Sequence, residues 1–124
     1  MSDSLHFTYA KPAMCVGGFS PERLKQTKDA GFSFVEVGFS ELAAKTESQI
    51  DEYLAVLNQY SLTPVAANGF FPSTLGAFFD GSFDIGKTRA YIARAFETTR
   101  KIHFESISFG SGFMRRVPDG YDRD

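Results

Sequence analysis

Apolar residues along this chain follow two different periods. Short runs rich in Val, Ile and Phe are separated by longer stretches where apolar residues recur at helical spacing, with Gly, Pro and Asn at the joins. Strand-length runs alternating with amphipathic helix-length stretches predict βα units and a parallel sheet. The first strand is expected over Phe7 to Val16, interrupted by Lys11-Pro12, with Gly17-Gly18 as the following loop. Ser20-Pro21-Glu22-Arg23 predicts a helix start: Ser20 caps orphan amides, and Pro21 sits where no N–H is needed. That helix is expected to stop at Gly31, since glycine enters the left-handed conformation without steric cost. Phe32 to Phe39 follows as the second strand.

Thr46-Glu47-Ser48-Gln49 has capping-box spacing, and Ile50, Tyr53, Leu54 and Leu57 then recur on one helical face. Leu62 to Ala67 reads as the third strand, with Pro64 tolerated near its start, and runs into Asn68-Gly69-Phe70-Phe71-Pro72. After a loop from Ser73 to Phe83, Asp84 is placed to cap a helix reaching about His103, with Ile85, Ile92, Ala95, Phe96 and Thr99 along one side. Ile107-Ser108-Phe109 is the fourth strand and opens into Gly110-Ser111-Gly112; Phe113 to Asp124 is polar and turn-rich. The expectation is one α/β domain over residues 1–124, four parallel strands in the order one to four, with three helices on one face.

Composition narrows the function classes. With 43% hydrophobic and 23% charged residues the chain has the balance of a globular protein. No stretch approaches the ~18 apolar residues of a membrane span, and the start lacks a secretory layout, so no membrane partner and a cytoplasmic location are expected. A net charge of −2 with dispersed Lys and Arg argues against nucleic acid. One cysteine, Cys15, rules out an internal disulfide. Fourteen Phe, many within the apolar runs, point to core packing.

Three segments then carry a resemblance: Ala30-Gly31-Phe32-Ser33-Phe34-Val35-Glu36, Val65-Ala66-Ala67-Asn68-Gly69-Phe70-Phe71-Pro72, and Phe109-Gly110-Ser111-Gly112-Phe113-Met114-Arg115-Arg116-Val117-Pro118-Asp119-Gly120. Together they resemble the AGFxxVE, AxNxFxP and FGSGxxRxxPDG segments of sugar-phosphate isomerases/epimerases of the xylose-isomerase-like TIM-barrel type. The likeness runs from about Cys15 to Gly120 and implies the N-terminal half of a (βα)8 barrel, a full barrel needing about 250 residues. It also implies a divalent metal (Mn, Mg or Zn) in a full-length relative, held with the catalytic glutamates on later strands. No cofactor and no catalytic residue is therefore assigned to this chain. Where relatives have Gly after the third helix, this chain has Lys101-Ile102-His103.

Active sites of βα barrels lie at the C-terminal ends of the strands. The residues assigned to substrate binding are accordingly Glu36, Asn68, Ser111 and Arg115. Each has a structural alternative. Glu36 contacts substrate, or is tied to a backbone amide or to Lys11. Asn68 holds a sugar hydroxyl, or bonds its own backbone in an Asn-Gly turn. Gly110-Ser111-Gly112 presents amides to an anion or hydroxyl beside Arg115, or is an ordinary loop. Cys15 touches ligand, or is a buried apolar filler. His6 and His103 are too few for a metal site.

Two functions follow. The chain is half of an enzyme that interconverts sugars or sugar phosphates by metal-assisted proton abstraction beside a carbonyl, and is inactive alone; or it is a non-catalytic binding or assembly module. A half-barrel would expose apolar runs such as Phe34-Val35, Val65-Ala66 and Ile107-Phe109 on its inner face, and both sheet edges. A homodimer or higher oligomer through that face or those edges is expected.

Overall fold

The computed structural model describes residues 11–122. The elements are β1 (Ala13–Gly17), α1 (Pro21–Asp29), β2 (Phe34–Gly38), α2 (Phe39–Ala43), α3 (Glu47–Gln59), β3 (Thr63–Asn68), a 3-10 turn (Ser73–Leu75), α4 (Ile85–Thr99) and β4 (Ser106–Ile107). All pairings are parallel, in the order β1-β2-β3-β4. This is an α/β fold with a four-stranded parallel sheet. The part of the first expected strand before Lys11 lies outside the described residues, as does His6.

The helix ends follow local chemistry. Ser20 Oγ accepts from the Arg23 amide, with Pro21 in the first turn. At the far end Gly31 adopts φ +90°, its N–H reaching the Lys28 carbonyl while the Phe32 N–H reaches Thr27. This bonding closes the last turn of a helix through a left-handed residue. The Thr46/Gln49 capping box is complete in both directions. α3 closes as α1 does, but through Ser61 at φ +51°, where a side chain tolerates the conformation less well than glycine would. Asp84 caps α4 by accepting from the Lys87 amide.

Four expectations need correction. The second strand stops at Gly38, and Phe39 opens α2, a single-turn helix tied to the next loop by Ser40 N–H donating to the Gly69 carbonyl. Five residues are too few to show a helical period. The helix chain therefore has α2 in addition to the three expected helices. α4 ends at Thr99 rather than near His103, through Arg100 and Ile102 amides donating to Glu97 and Thr99 carbonyls. None of Lys101, Ile102 and His103 takes a positive φ, so the departure from glycine here is met without a left-handed residue. Finally, the buried stripe of α4 is Thr88, Tyr91, Ala95 and Thr99, while Ile85 and Phe96 are exposed. Thr88 and Thr99 tolerate burial by donating to the carbonyls of Asp84 and Ala95 on their own helix, and Tyr91 donates to the Phe70 carbonyl at 2.6 Å.

The core lies on one side of the sheet. Val16, Val35, Val37 and Ala67 pack with Leu24, Leu42, Ile50, Tyr53 and Leu57 from the helices. At the C-terminal ends of the strands, Phe39 stacks on Phe70 at 4.8 Å, and Phe70, Phe71 and Phe109 form a contiguous ring cluster. Not all the aromatics are core. Phe19, Phe78, Phe79, Phe96, Phe109 and Phe113 are exposed, contrary to the expectation that phenylalanine mainly fills the interior.

Candidate functional site

Successive strand residues point to opposite faces. In β2, Val35 and Val37 enter the helix-side core and Glu36 is half-buried on the other face. Cys15 is the parallel neighbour of Glu36 on β1, and Ala66 its neighbour on β3, which in turn pairs with Ser106 on β4. Asn68 follows Ala66 on the same face, and its Nδ2 donates to Cys15 Sγ at 3.3 Å. One surface therefore carries, from neighbouring strands, a thiol, a carboxylate, a carboxamide and a hydroxyl, with alanine between them. Of the runs expected on the inner face, Val35 packs in the helix-side core, whereas Phe34 shares the face of Glu36 by strand alternation, so that face is mixed in character.

The alternatives for these residues separate on geometry. Lys11 does not bind Glu36; it pairs with Glu105 and lies over the Phe34 ring. The Glu36 carboxylate makes no hydrogen bond or ion pair among the described residues. A half-buried carboxylate unengaged among the described residues keeps acceptor capacity for a ligand. Asn68 bonds across the sheet to Cys15 rather than to its own turn, which Gly69 makes unaided at φ +61°. Cys15 is exposed, not a buried filler.

Ser111 lies in the loop beyond β4. Its Oγ is buried without a hydrogen-bond partner among the described residues, and its backbone sits at φ +44°. Each feature is unfavourable for serine, an orphaned buried hydroxyl costing about 1 to 3 kcal/mol, so their coincidence marks a constrained position. Arg115 is exposed and bonds Ser111 only through its backbone, N–H to carbonyl, at 3.3 Å. Of the four expected residues, Glu36 and Asn68 share one face of the sheet, and among the described residues no hydrogen bond joins Ser111 or Arg115 to them. The segment after β4 folds back: the Phe78 amide donates to the Met114 carbonyl, and Met114 is buried. Arg116, rather than Arg115, lines the resulting cleft with Phe113, Asp119 and Asp80.

One group, Glu41, and one contact, Cys15 to Asn68, escaped the sequence reading. Glu41 on α2 lays its carboxylate over Gly18 and Gly38, at the ends of β1 and β2, where a Cβ on Gly18 would fall 2.1 Å from a carboxylate oxygen. The signal available was the pairing of glycines at two strand ends, which makes room for a side chain from elsewhere. Cys15 was visible in sequence, but its link to Asn68 is a property of sheet register. Among the described residues no group of three or more His, Cys, Asp or Glu side chains converges as a metal site, and Glu36 with Cys15 alone does not fit the divalent ion that the resemblance implies. No helix among the described residues is long and apolar enough to cross a membrane.

No protein-family model, no curated protein and no solved structure matches this chain.

Proposed function

We propose that this chain is a (βα)4 half-barrel of the sugar-phosphate isomerase/epimerase type, which binds a sugar or sugar phosphate on its open sheet face and does not isomerise it alone. The observation that carries this reading is the polar constellation on that face, Cys15, Glu36 and Asn68, with the Glu36 carboxylate unengaged. A carboxylate and a carboxamide on adjacent strands suit a polyhydroxylated ligand, because together they accept and donate to neighbouring hydroxyls. The buried, unpartnered Ser111 hydroxyl and nearby Arg115 supply a second contact region, with the charge a phosphate requires. Proton abstraction beside a carbonyl needs a positioned base and stabilisation of an anionic intermediate. Among the described residues the polar group on the open face holds one carboxylate, Glu36, and no metal set, so binding without turnover is expected.

The test is titration of a panel of aldose and ketose phosphates into the protein, followed by amide chemical shifts. Shifts at Cys15, Glu36, Asn68 and Ser111, weakened roughly tenfold by Glu36→Gln or Asn68→Ala, are the expected result, each substitution removing one good hydrogen-bonding group. Absence of shifts on that face would defeat the binding reading, and metal-dependent epimerisation by the pure chain would defeat the claim of inactivity.

The alternative, an assembly module, is favoured by a different observation: β1 and β4 leave sheet edges unpaired among the described residues, and Phe109 and Phe113 stand 59% and 53% exposed near β4. Two copies would bring eight strands, the number a closed barrel uses. Sedimentation at micromolar concentration decides: a dimer is expected, and a well-folded monomer that binds no apolar-surface dye would end this reading.

A further inference from the structure

Away from the open sheet face, α2, the 3-10 turn and α4 enclose a cleft of about 550 Å3, within the usual size range of small-molecule sites. Lys87, Ala90, Tyr91 and Arg94 form one wall, a stripe at helical spacing along α4; Ser40, Thr74 and Leu75 stand opposite. The two cations lie two turns apart, about 10 Å along the helix axis. Among the described residues no carboxylate lines the cleft.

Cations on the helical surface fall into two groups. Lys25 pairs with Asp29, Arg100 with Glu97 and Glu47, and Lys101 with Glu47 and Asp51. Lys87 and Arg94, like Arg23, Lys28 and Arg89, pair with no acid among the described residues, and these two line the same cleft. Asp84, one turn before Lys87, uses its carboxylate to cap the helix backbone. Ser40 and Thr74 add hydroxyls that make no side-chain hydrogen bond among the described residues. Leu75 is buried beneath the cleft and Ala90 supplies a flat apolar surface between the cations. Tyr91 is held by its bond to the Phe70 carbonyl, which fixes the wall.

We infer that this cleft is a second binding site, for a small organic anion whose phosphate or carboxylate is held by Lys87 and Arg94 and whose apolar body lies on Ala90 and Leu75. Unpaired cations in a recess with apolar walls focus positive potential and favour an anion over water. Charge-assisted hydrogen bonds supply the holding interaction, and the apolar floor discriminates an organic anion from a free ion.

The probes are phenyl phosphate, benzoate, inorganic phosphate and neutral benzyl alcohol, each titrated into the full chain and followed by amide shifts at Ser40, Thr74, Ala90 and Arg94. Phenyl phosphate or benzoate should bind at least about tenfold more tightly than either inorganic phosphate or benzyl alcohol, whichever of the two is preferred naming the headgroup. The double variant Lys87→Gln/Arg94→Gln should weaken that binding by roughly tenfold or more, and added salt should weaken it in the unsubstituted protein. Both positions are exposed, so an unchanged melting temperature will show that the variant folds. The inference is overturned if the shifts fall outside the cleft, if the double variant binds as tightly as the parent, or if benzyl alcohol or inorganic phosphate matches the organic anions.

Discussion

The two faces of the same sheet have opposite chemistries. In β2, Val35 and Val37 are wholly buried against the helices, while Glu36 between them faces outward with no hydrogen-bond or ion-pair partner among the described residues. In β3, Val65 and Ala67 are buried, while Ala66 and Asn68 look the other way, Asn68 reaching Cys15. One face is a packing surface whose tolerance is set by volume and polarity. The other makes few demands on stability and retains unengaged polar groups. A strand thus assigns stability and recognition to alternate residues, and substitutions one position apart should report on different properties.

The sharpest way to break this contrast is to place a charge on each face. Val37→Asp would bury an unpaired carboxylate, costing about 4 kcal/mol or more against a total stability of ~5 to 15 kcal/mol, so cooperative thermal unfolding should be lost. Glu36→Gln, one residue away, should change stability by no more than about 0.5 kcal/mol. Comparable losses for the two variants would show that the outer face is not open.

A smaller pair tests the aromatic cluster. Phe39 is wholly buried and stacked on Phe70, whereas Phe109 caps the cluster at 59% exposure. In urea titrations Phe39→Ala should cost about 3 to 5 kcal/mol and Phe109→Ala about 1 kcal/mol or less. If Phe109→Ala is as costly as Phe39→Ala, that surface is buried in an assembly.

Alkaline pH gives a third, more modest effect. Burial raises the Tyr91 hydroxyl to about 12, partly offset by Arg94, and burial followed by the negative charge of Glu41 raises Tyr53 further. Both folded-state values lie above the ordinary value near 10, so the neutral phenol is favoured by folding. The stabilisation is complete below pH ~10 and is lost as pH rises towards and through the folded values. Stability should therefore fall above pH ~10, by on the order of 1 to 2 kcal/mol for Tyr91 before pH 12, and Tyr91→Phe should show a shallower alkaline loss. An unchanged profile would mean that Tyr91 is wetter than its packing indicates.

The least disruptive probe is Cys15. Exposed on the open face, it should react with a maleimide in the folded protein at high dilution. If two copies associate through that face, labelling should slow as concentration rises into the range where sedimentation shows a dimer. Concentration-independent labelling would place any association at the sheet edges instead.

Much of the fold was legible from local pattern. The caps at Ser20, Thr46 and Asp84, the stop at Gly31 and the βα rhythm all follow from interactions within a few residues, which the linear chain displays directly. The alternation of Val35, Glu36 and Val37 likewise implied two faces. Only the tertiary structure decided which face is covered, because burial depends on where the helices pack. The same dependence explains why α4 buries Thr88 and Tyr91 rather than Ile85 and Phe96: hydrogen bonds to Asp84 and Phe70 carbonyls make the polar stripe compatible with the interior. The Cys15–Asn68 contact depends on register between strands, the Glu41 seat over Gly18 and Gly38 on a helix too short to show its period, and the placement of Lys87, Arg94, Ser40 and Thr74 around one cleft on the approach of three separate elements. Sequence specified the elements and the residue types each carries, while long-range packing determined which of those residues meet.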